Sequence, residues 1–464
     1  KSSKVVYNKR WQTAWKDLAT IKDDLSDNIL ETLKIEVLRD VEDQIVESNP
    51  EAYEYYLRGK YIYKNRQDIK DIQIARDLLK RAVALDKNLI IAQHLIGITH
   101  FDVGDFDKAM EIHQENLKKA EEQEDNDLTS FSLNSIGRIY FKRGDYVKAL
   151  DYYERSIEIK ESIGNRYTLE TVYTNIGAIY LRQANYDKAS YYYEHALAIN
   201  KELGNKNGLA INYTNMGYLY NDINHLQAID YFNQSKKLAE EVNNKSIISA
   251  SLNGLGNIYN EIIGDYEKSL IAYRQSLEID EQLGNKGGIA GSLINICSIY
   301  LKTGHYNKAL EYYQGSNDTF KEIGHRYGVA FSYCNGAIAY YGKGEYAQAV
   351  DLLEKSLSMQ KEIGVKEIML ETTSYLFLSY DKLGKDYDIN EIKLLVIDEK
   401  KLQRETNKFA INFNLFQLLD DISYLNSAYN QVQEQADAMK NKLKYKFLNY
   451  PIPKQIIQEW ERVS

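Results

Sequence analysis

The feature that most limits this chain is a turn that returns on a fixed period. "GDF" at Gly104 recurs as "GDY" at Gly144, "ANY" at Ala184, "GDY" at Gly264, "GHY" at Gly304 and "GEY" at Gly344, 40 residues apart, or 80 where the unit around Asn224 intervenes. A second turn keeps the same period, at Gly164-Asn165, Gly204-Asn205, Gly284-Asn285, Gly324-His325 and Gly364. Self-similarity on this scale means one supersecondary unit copied along the chain. Each unit has two turns, with a helical run between each pair. With only 3 prolines in 464 residues, long helices joined by Gly turns are the natural filling. Copying also accounts for tyrosine reaching 40 residues.

The helical runs show apolar spacing near three and four. In "LNSIGRIYF" Leu133, Ile136, Gly137 and Tyr140 share a face, and "YVKALDYYERSIEI" puts Ala149, Tyr153 and Ser156 on another. Gly137 and Ala149 let two antiparallel helices approach, and Tyr140 and Tyr153 fill the space around them. One such hairpin cannot bury its own apolar face, so neighbours must stack. One unit departs from the pattern. "NDINHLQAIDYF" loses a residue before Ala228 and "NIYNEIIGDY" gains one before Gly264, so the register returns with a local irregularity.

Several function classes are disfavoured. A net charge of −9 argues against a nucleic-acid partner, which rewards basic patches. Cys297 and Cys334 supply neither a disulfide framework nor a four-ligand zinc site, and read as small core residues in a reducing, cytoplasmic setting. No apolar run approaches the ~18 residues of a membrane span, so no membrane insertion is expected. "KSSKVVYNKRW" has neither an initiator Met nor a signal-peptide core, and reads as part of something longer.

Catalytic and metal motifs are missing too. His94, His100, His113, His195, His225, His305 and His325 form no HExxH and no tight cluster. No phosphate loop or GxSxG occurs, and "GNKGG" at 284–288 sits at a turn between helices rather than after a strand. Glu121-Glu122 and Glu240-Glu241 read as solvated faces with lysines nearby. The expectation is a chain with no active site, metal or cofactor, the remote alternative being an enzyme with an unrecognised site.

These residues resemble the tetratricopeptide repeat family. Its small helix-A position appears as Gly137, Gly177, Gly217 and Gly256, and its helix-A aromatic as Tyr140, Tyr180, Tyr220, Tyr259, Tyr300 and Tyr340. Its helix-B Ala appears as Ala75, Ala109, Ala149, Ala189, Ala228, Ala309 and Ala349, with Ser269 the exception. Ala75 to Ala109 is 34 residues, the family's usual period; the later 40-residue units look like those of animal G-protein-signalling adaptors and kinesin light chains. The resemblance implies an all-α, right-handed superhelix of antiparallel hairpins, about nine over 49–403, with A helices lining a concave groove that binds extended peptides or partner helices. Residues 404–464 then form a helical cap: a helix, a longer helix, and a short one from Pro453. Residues 1–48 look like a short strand and an amphipathic helix. They resemble the closing segment of a TolB-like or FlgO-like accessory domain in bacterial signalling proteins, whose upstream module is commonly a nucleotide cyclase, a Ser/Thr kinase or a winged-helix DNA binder. The ending "FLNYPIPKQIIQEWERV" resembles cyclase-linked versions.

Candidate binding residues follow from the repeat. An Asn two places before the small position recurs as Asn175, Asn215, Asn295 and Asn335, with Asn134 and Asn253 one place earlier. Inside a helix each costs up to about 0.7 kcal/mol relative to Ala, so repetition calls for compensation. A carboxamide both donates and accepts, which suits the main chain of an extended peptide. The alternative is that the Asn is copied with the repeat and bonds across helices or to water. One turn onward lie Arg138, Tyr218 and Asn257, then Lys142, Arg182 and Lys302. The basic three either meet acidic groups of a ligand or are exposed helix-end charges. The Tyr pairs of "DYYERS", "YYYEHA" and "EYYQGS" read as packing. The chain is thus expected to be a non-catalytic protein- or peptide-binding scaffold, the regulatory part of a larger signalling protein; the alternative is a self-association module forming a homodimer.

Overall fold

Both turns of the repeat work by pairing a left-handed residue with a side-chain cap. In the computed structural model, which describes residues 49–463 apart from 65, 67–68, 165–168, 222, 367 and 402–408, Gly144, Gly204, Gly264, Gly304 and Gly344 all have φ between +64° and +80°. That conformation ends a helix at no cost only where there is no Cβ. At most of the turns the next residue then caps the following helix; His305 and Glu345, after Gly304 and Gly344, make no side-chain cap. Asp145, Asn185, Asn224 and Asp265 accept from the backbone N–H three residues on, as do Asn205, Asn244 and Asn285 at the other turn. Each cap contributes about 1 kcal/mol.

The eighteen helices from Pro50 to Lys401 follow one another as nine pairs. They are α1 (Pro50–Lys64) and α2 (Ile69–Leu85), α3 (Ile90–Asp102) and α4 (Phe106–Glu122), α5 (Asn126–Lys142) and α6 (Tyr146–Ser162), α7 (Leu169–Arg182) and α8 (Tyr186–Glu202), and α9 (Lys206–Tyr220) and α10 (His225–Glu241). Then come α11 (Lys245–Asn257) and α12 (Tyr266–Leu283), α13 (Lys286–Lys302) and α14 (Tyr306–Glu322), α15 (Arg326–Gly342) and α16 (Tyr346–Ile363), and α17 (Met369–Leu383) and α18 (Ile389–Lys401). Four helices close the chain: α19 (Phe409–Leu419), α20 (Ile422–Asp437), α21 (Asn441–Leu448) and α22 (Pro451–Val463). The array is all-α, as expected; among the described residues the ending has one helix more than the sequence predicts, and its last begins at Pro451 rather than Pro453. The expected strand and helix of residues 1–48 lie outside the described residues, as does Asn165.

The chain forms two compact units, the first reaching Ile136 and the second running from Gly137. In the first, Ala52, Tyr56, Leu79, Ala82, Leu89, Ala92 and Ile96 make a core. Gly59 lies against Leu79, and Gly97 against the buried ring of His113.

In the second unit the small A-helix residue faces an aromatic on helix B. A Cβ on Gly137 would lie 2.6 Å from Tyr153, and one on Gly177 2.6 Å from Tyr193. Gly217 meets Phe232 and Gly256 meets Tyr273 in the same way. Cys297 and Ala337 continue the position in α13 and α15, Cys297 donating its Sγ–H to the Ala309 carbonyl at 3.2 Å. Burial pushes that thiol up to about 12, so it is an unreactive packing group. Ala149, Ala189, Ala228, Ala309 and Ala349 are all fully buried opposite. The exception, Ser269, donates to the Gly256 carbonyl at 2.7 Å. The Tyr pairs are packing, as expected: Tyr153 and Tyr193 fill the interior while Tyr152 and Tyr192 stack on Tyr140 and Tyr180 at 5.5 and 5.6 Å.

A seam of hydroxyls joins successive hairpins from α9 to α15. Ser235, Ser276, Ser316 and Ser356 on B helices donate to carbonyls of their own A helix, at Ala210, Ser249, Ala290 and Ala330. Ser251, Ser292 and Ser332 of the following A helix meet the first three of them at 3.0, 3.4 and 3.3 Å. Near the ends of the B helices Asn200 donates to Asn212, which donates to Thr174, and Asp280 accepts from Ser249 and Asn285.

The irregular unit has a specific form. Ile258–Ile263 continues α11 as a π-helical stretch, and the left-handed Gly264 ends it. A π turn holds one residue more than an α turn, so the residue gained in "NIYNEIIGDY" is taken up within the helix. Stacking on both sides is preserved: α13 and α15 still pack in the cluster that runs from Tyr266 to Leu415.

Candidate functional site: the A-helix wall

Neighbouring A helices lie side by side in the second unit. Tyr218 of α9 donates its hydroxyl to the Ala250 carbonyl of α11 at 3.1 Å, and Asn212 of α9 reaches Thr174 of α7 at 3.0 Å. Residues at equivalent places therefore recur along one wall. Asn175, Asn215 and Asn295 are half-buried on it and Asn335 is buried, while Asn253, one place earlier on α11 where Gly254 holds the equivalent position, is half-buried beside them. Among the described residues, the side chains of Asn215, Asn253 and Asn295 make no hydrogen bond with the rest of the chain. Asn335 buries its Nδ2 without any partner. Asn175 has a partner of its own, and so does Asn134, which lies in the first unit.

This outcome separates two kinds of Asn. Asn200 and Asn212 are buried and bonded to each other at 2.7 Å. The row at Asn215, Asn253, Asn295 and Asn335 keeps donors and acceptors that the fold does not use. The cost of a buried polar group without a partner, about 1–3 kcal/mol, falls on Asn335 alone among these.

The basic residues divide. Lys142 and Arg182 form no hydrogen bond or ion pair among the described residues, and Arg138 stands close to them. The Lys142 ammonium is held below its ordinary range, first by desolvation and then by the like charges of Arg138 and Arg182. Lys142 is nonetheless accessible to solvent. Three cations gathered on one face concentrate positive potential, which attracts anions. Lys302 is elsewhere and occupied: its Nζ lies 3.0 Å from both Asn260 Oδ1 and Glu261 Oε1. Tyr218 and Asn257 serve the array itself. The Tyr218 hydroxyl bonds Ala250, and burial with nearby Asp280 pushes it up to about 12 against the opposing charge of Arg182. Asn257 accepts from the Tyr273 hydroxyl at 2.6 Å.

Sequence reasoning overlooked Asn260, Glu261 and Tyr266, which gather around Lys302; the one-residue gain before Gly264 was the signal that this place differs. Among the described residues no three His, Cys, Asp or Glu side chains come together to hold a metal ion, and no helix is long and apolar enough to cross a membrane.

The tetratricopeptide repeat model matches residues 88–162, 168–241, 222–282 and 288–362, more than half of the chain. The chain belongs to the tetratricopeptide repeat family. No curated protein matches it by sequence. Among solved structures, a Signal Transduction ATPase with Numerous Domains (STAND) protein with a tetratricopeptide repeat sensor, from Pyrococcus horikoshii, is similar over 87% of this chain and 56% of its own, at 17% identity and a TM-score of 0.52. This tetratricopeptide repeat chain thus spans little more than half of that protein, and the likeness is one of fold. Aspartyl phosphate phosphatase F from Bacillus subtilis is similar over 77% of this chain and 95% of its own, at 13% identity and a TM-score of 0.49. BtubC from P. vanneervenii is similar over 47% and 90%, at 22% identity and a TM-score of 0.35.

Proposed function

We propose that the A-helix wall of the second unit binds an extended segment of a partner protein, with the Asn row on its main chain and the cations Arg138, Lys142 and Arg182 on an acidic group. The observation that carries this reading is the set of carboxamides at Asn215, Asn253 and Asn295, half-buried and without internal partners. A carboxamide pairs with a peptide group whatever the side chain, so the row supplies affinity and the group of cations supplies polarity and preference. The chain then acts without chemistry of its own, as the partner-reading part of a larger signalling protein in a reducing, cytoplasmic setting. The buried thiols Cys297 and Cys334, which form no disulfide among the described residues, support that setting, and the resemblance of residues 1–48 to the end of an accessory domain supports an upstream cyclase or kinase.

The test begins with a peptide selected on the native chain from a randomised 12-residue display library and titrated by fluorescence anisotropy. Replacing Asn215, Asn253 and Asn295 together by Ala is expected to weaken it by at least about tenfold, or 1.4 kcal/mol, with the helical circular dichroism unchanged. Arg182→Glu should select against acidic peptides in particular. Unchanged affinity in the folded triple variant would refute the row as a binding element. Sedimentation that shows a concentration-dependent dimer, abolished by the same substitutions, would assign the wall to self-association instead.

A further inference from the structure

The turns between A and B helices repeat one shape, yet two of them are covered. At Gly144 and Gly344 a Cβ would meet nothing within 4 Å. At Gly264 it would lie 2.2 Å from Met439 Cε, and at Gly304 2.7 Å from Pro451 Cγ. Met439 follows α20 and Pro451 opens α22, so the end of the chain returns to two consecutive turns. Between these contacts Lys446 Nζ reaches Glu267 at 2.5 Å, and the Tyr450 ring lies 5.2 Å from that of Tyr266. The tyrosine that opens helix B is half-buried at Tyr146, Tyr186, Tyr306 and Tyr346. Tyr266, under the returning segment, is only 4% exposed.

Tyr266 also touches the wall. The Lys302 ammonium lies 5.8 Å from the centre of its ring, while Asn260 and Glu261 of the π stretch hold the same ammonium. One aromatic side chain therefore stands between the end of the chain and a cation of the A-helix wall. Among the returning contacts the exposed Lys446–Glu267 ion pair is weak and screened by salt, while those of Met439, Tyr450 and Pro451 are apolar. They also join parts of the chain 179 residues apart, so a local opening of the end frees them without unfolding the hairpins.

We propose that residues 439–451 are an intramolecular clasp: while seated on the turns at Gly264 and Gly304 it fixes Tyr266 and keeps Lys302 with Asn260 and Glu261, and on release it frees Lys302 for an anionic group. The clasp stands on its own contacts and is tested without a ligand. Its consequence for binding, a further cation offered to an acidic segment, rests on the groove reading above. By linkage such a segment would in turn favour release of the clasp.

The experiment uses the full chain. Lysines are acetylated with the N-hydroxysuccinimide ester of acetic acid and the rate at Lys302 is read by mass spectrometry, beside deuterium uptake at 439–451 and 258–270. Tyr450→Ala and Glu267→Lys are each expected to raise uptake at 439–451 and the Lys302 rate severalfold. The exchanged pair Glu267→Lys with Lys446→Glu is expected to return both toward native values. If Tyr450→Ala does not fold, the charge-exchange series decides. Uptake at 439–451 that rises while the Lys302 rate stays native overturns the coupling, and uptake that no variant changes overturns the clasp. Because neither readout uses a peptide, failure here is distinct from failure of the groove reading.

Discussion

The seam between hairpins and the wall of A helices are built from the same kind of material, a polar side chain repeated once per unit, and the structure treats them oppositely. On the seam, Ser235, Ser276, Ser316 and Ser356 are fully buried and each donates to a backbone carbonyl. On the wall, Asn215 and Asn295 recur in register with Asn253 one place off it, and the three make no side-chain hydrogen bond among the described residues. Repetition alone thus says little about role. A hydroxyl is small enough to sit between two packed helices and close its bonds locally, whereas a carboxamide directed off the helix face has to find its partner outside.

Four changes sharpen or break this contrast, from the largest effect to the smallest. Gly177→Val, behind the wall, drives a side chain into Tyr193; forced overpacking costs about 1–3 kcal/mol or more, and the urea midpoint of the second unit should fall most for this variant. Ser276→Ala removes the hydroxyl shared by Ser249 and Ser292 and should cost about 1–2 kcal/mol by the same measurement. A native midpoint there would mean that the seam is not what joins the hairpins. The triple change of Asn215, Asn253 and Asn295 to Ala should leave the midpoint unchanged or raise it, since Ala exceeds Asn in helix propensity by up to about 0.7 kcal/mol per site. A fall comparable with Ser276→Ala would place the row in the fold and erase the contrast.

The smallest effect is one of pH. Burial raises the Asp280 carboxyl above its ordinary range, against the opposing hydrogen bonds from Ser249, Asn285 and Ser276. The folded state therefore holds this proton more tightly than the unfolded chain. Its stabilising contribution is complete below the ordinary Asp range of about 3.9 and is lost as pH rises through the raised value. Asp280→Asn should flatten the pH dependence of the urea midpoint across that window.

Much of the fold was legible because it depends on residues that act locally. Gly204, Gly264 and Gly304 adopt the left-handed turn their type allows, Asn205 and Asp265 cap the next helix, and Gly137 and Ala149 mark where two helices touch. The candidate wall was legible only as a row. Nothing in the spacing distinguished Asn257, bonded to Tyr273, from Asn253, whose side chain bonds to no described residue. Nor did it distinguish Lys302, paired with Glu261, from Lys142, which pairs with no acid among the described residues.

What the sequence determined by itself is periodic: all-α hairpins, the positions of turns and caps, the small-to-aromatic contact, and the place where one residue is gained. Those follow from backbone sterics and short-range hydrogen bonds, whose range is a few residues. What only the tertiary structure decided is which repeated polar groups find partners, how the extra residue becomes a π stretch, and that Met439, Lys446, Tyr450 and Pro451 return to Gly264, Glu267, Tyr266 and Gly304. Each of these depends on groups brought together from distant parts of the chain, and a pattern that repeats along the sequence carries no record of where its far end will dock.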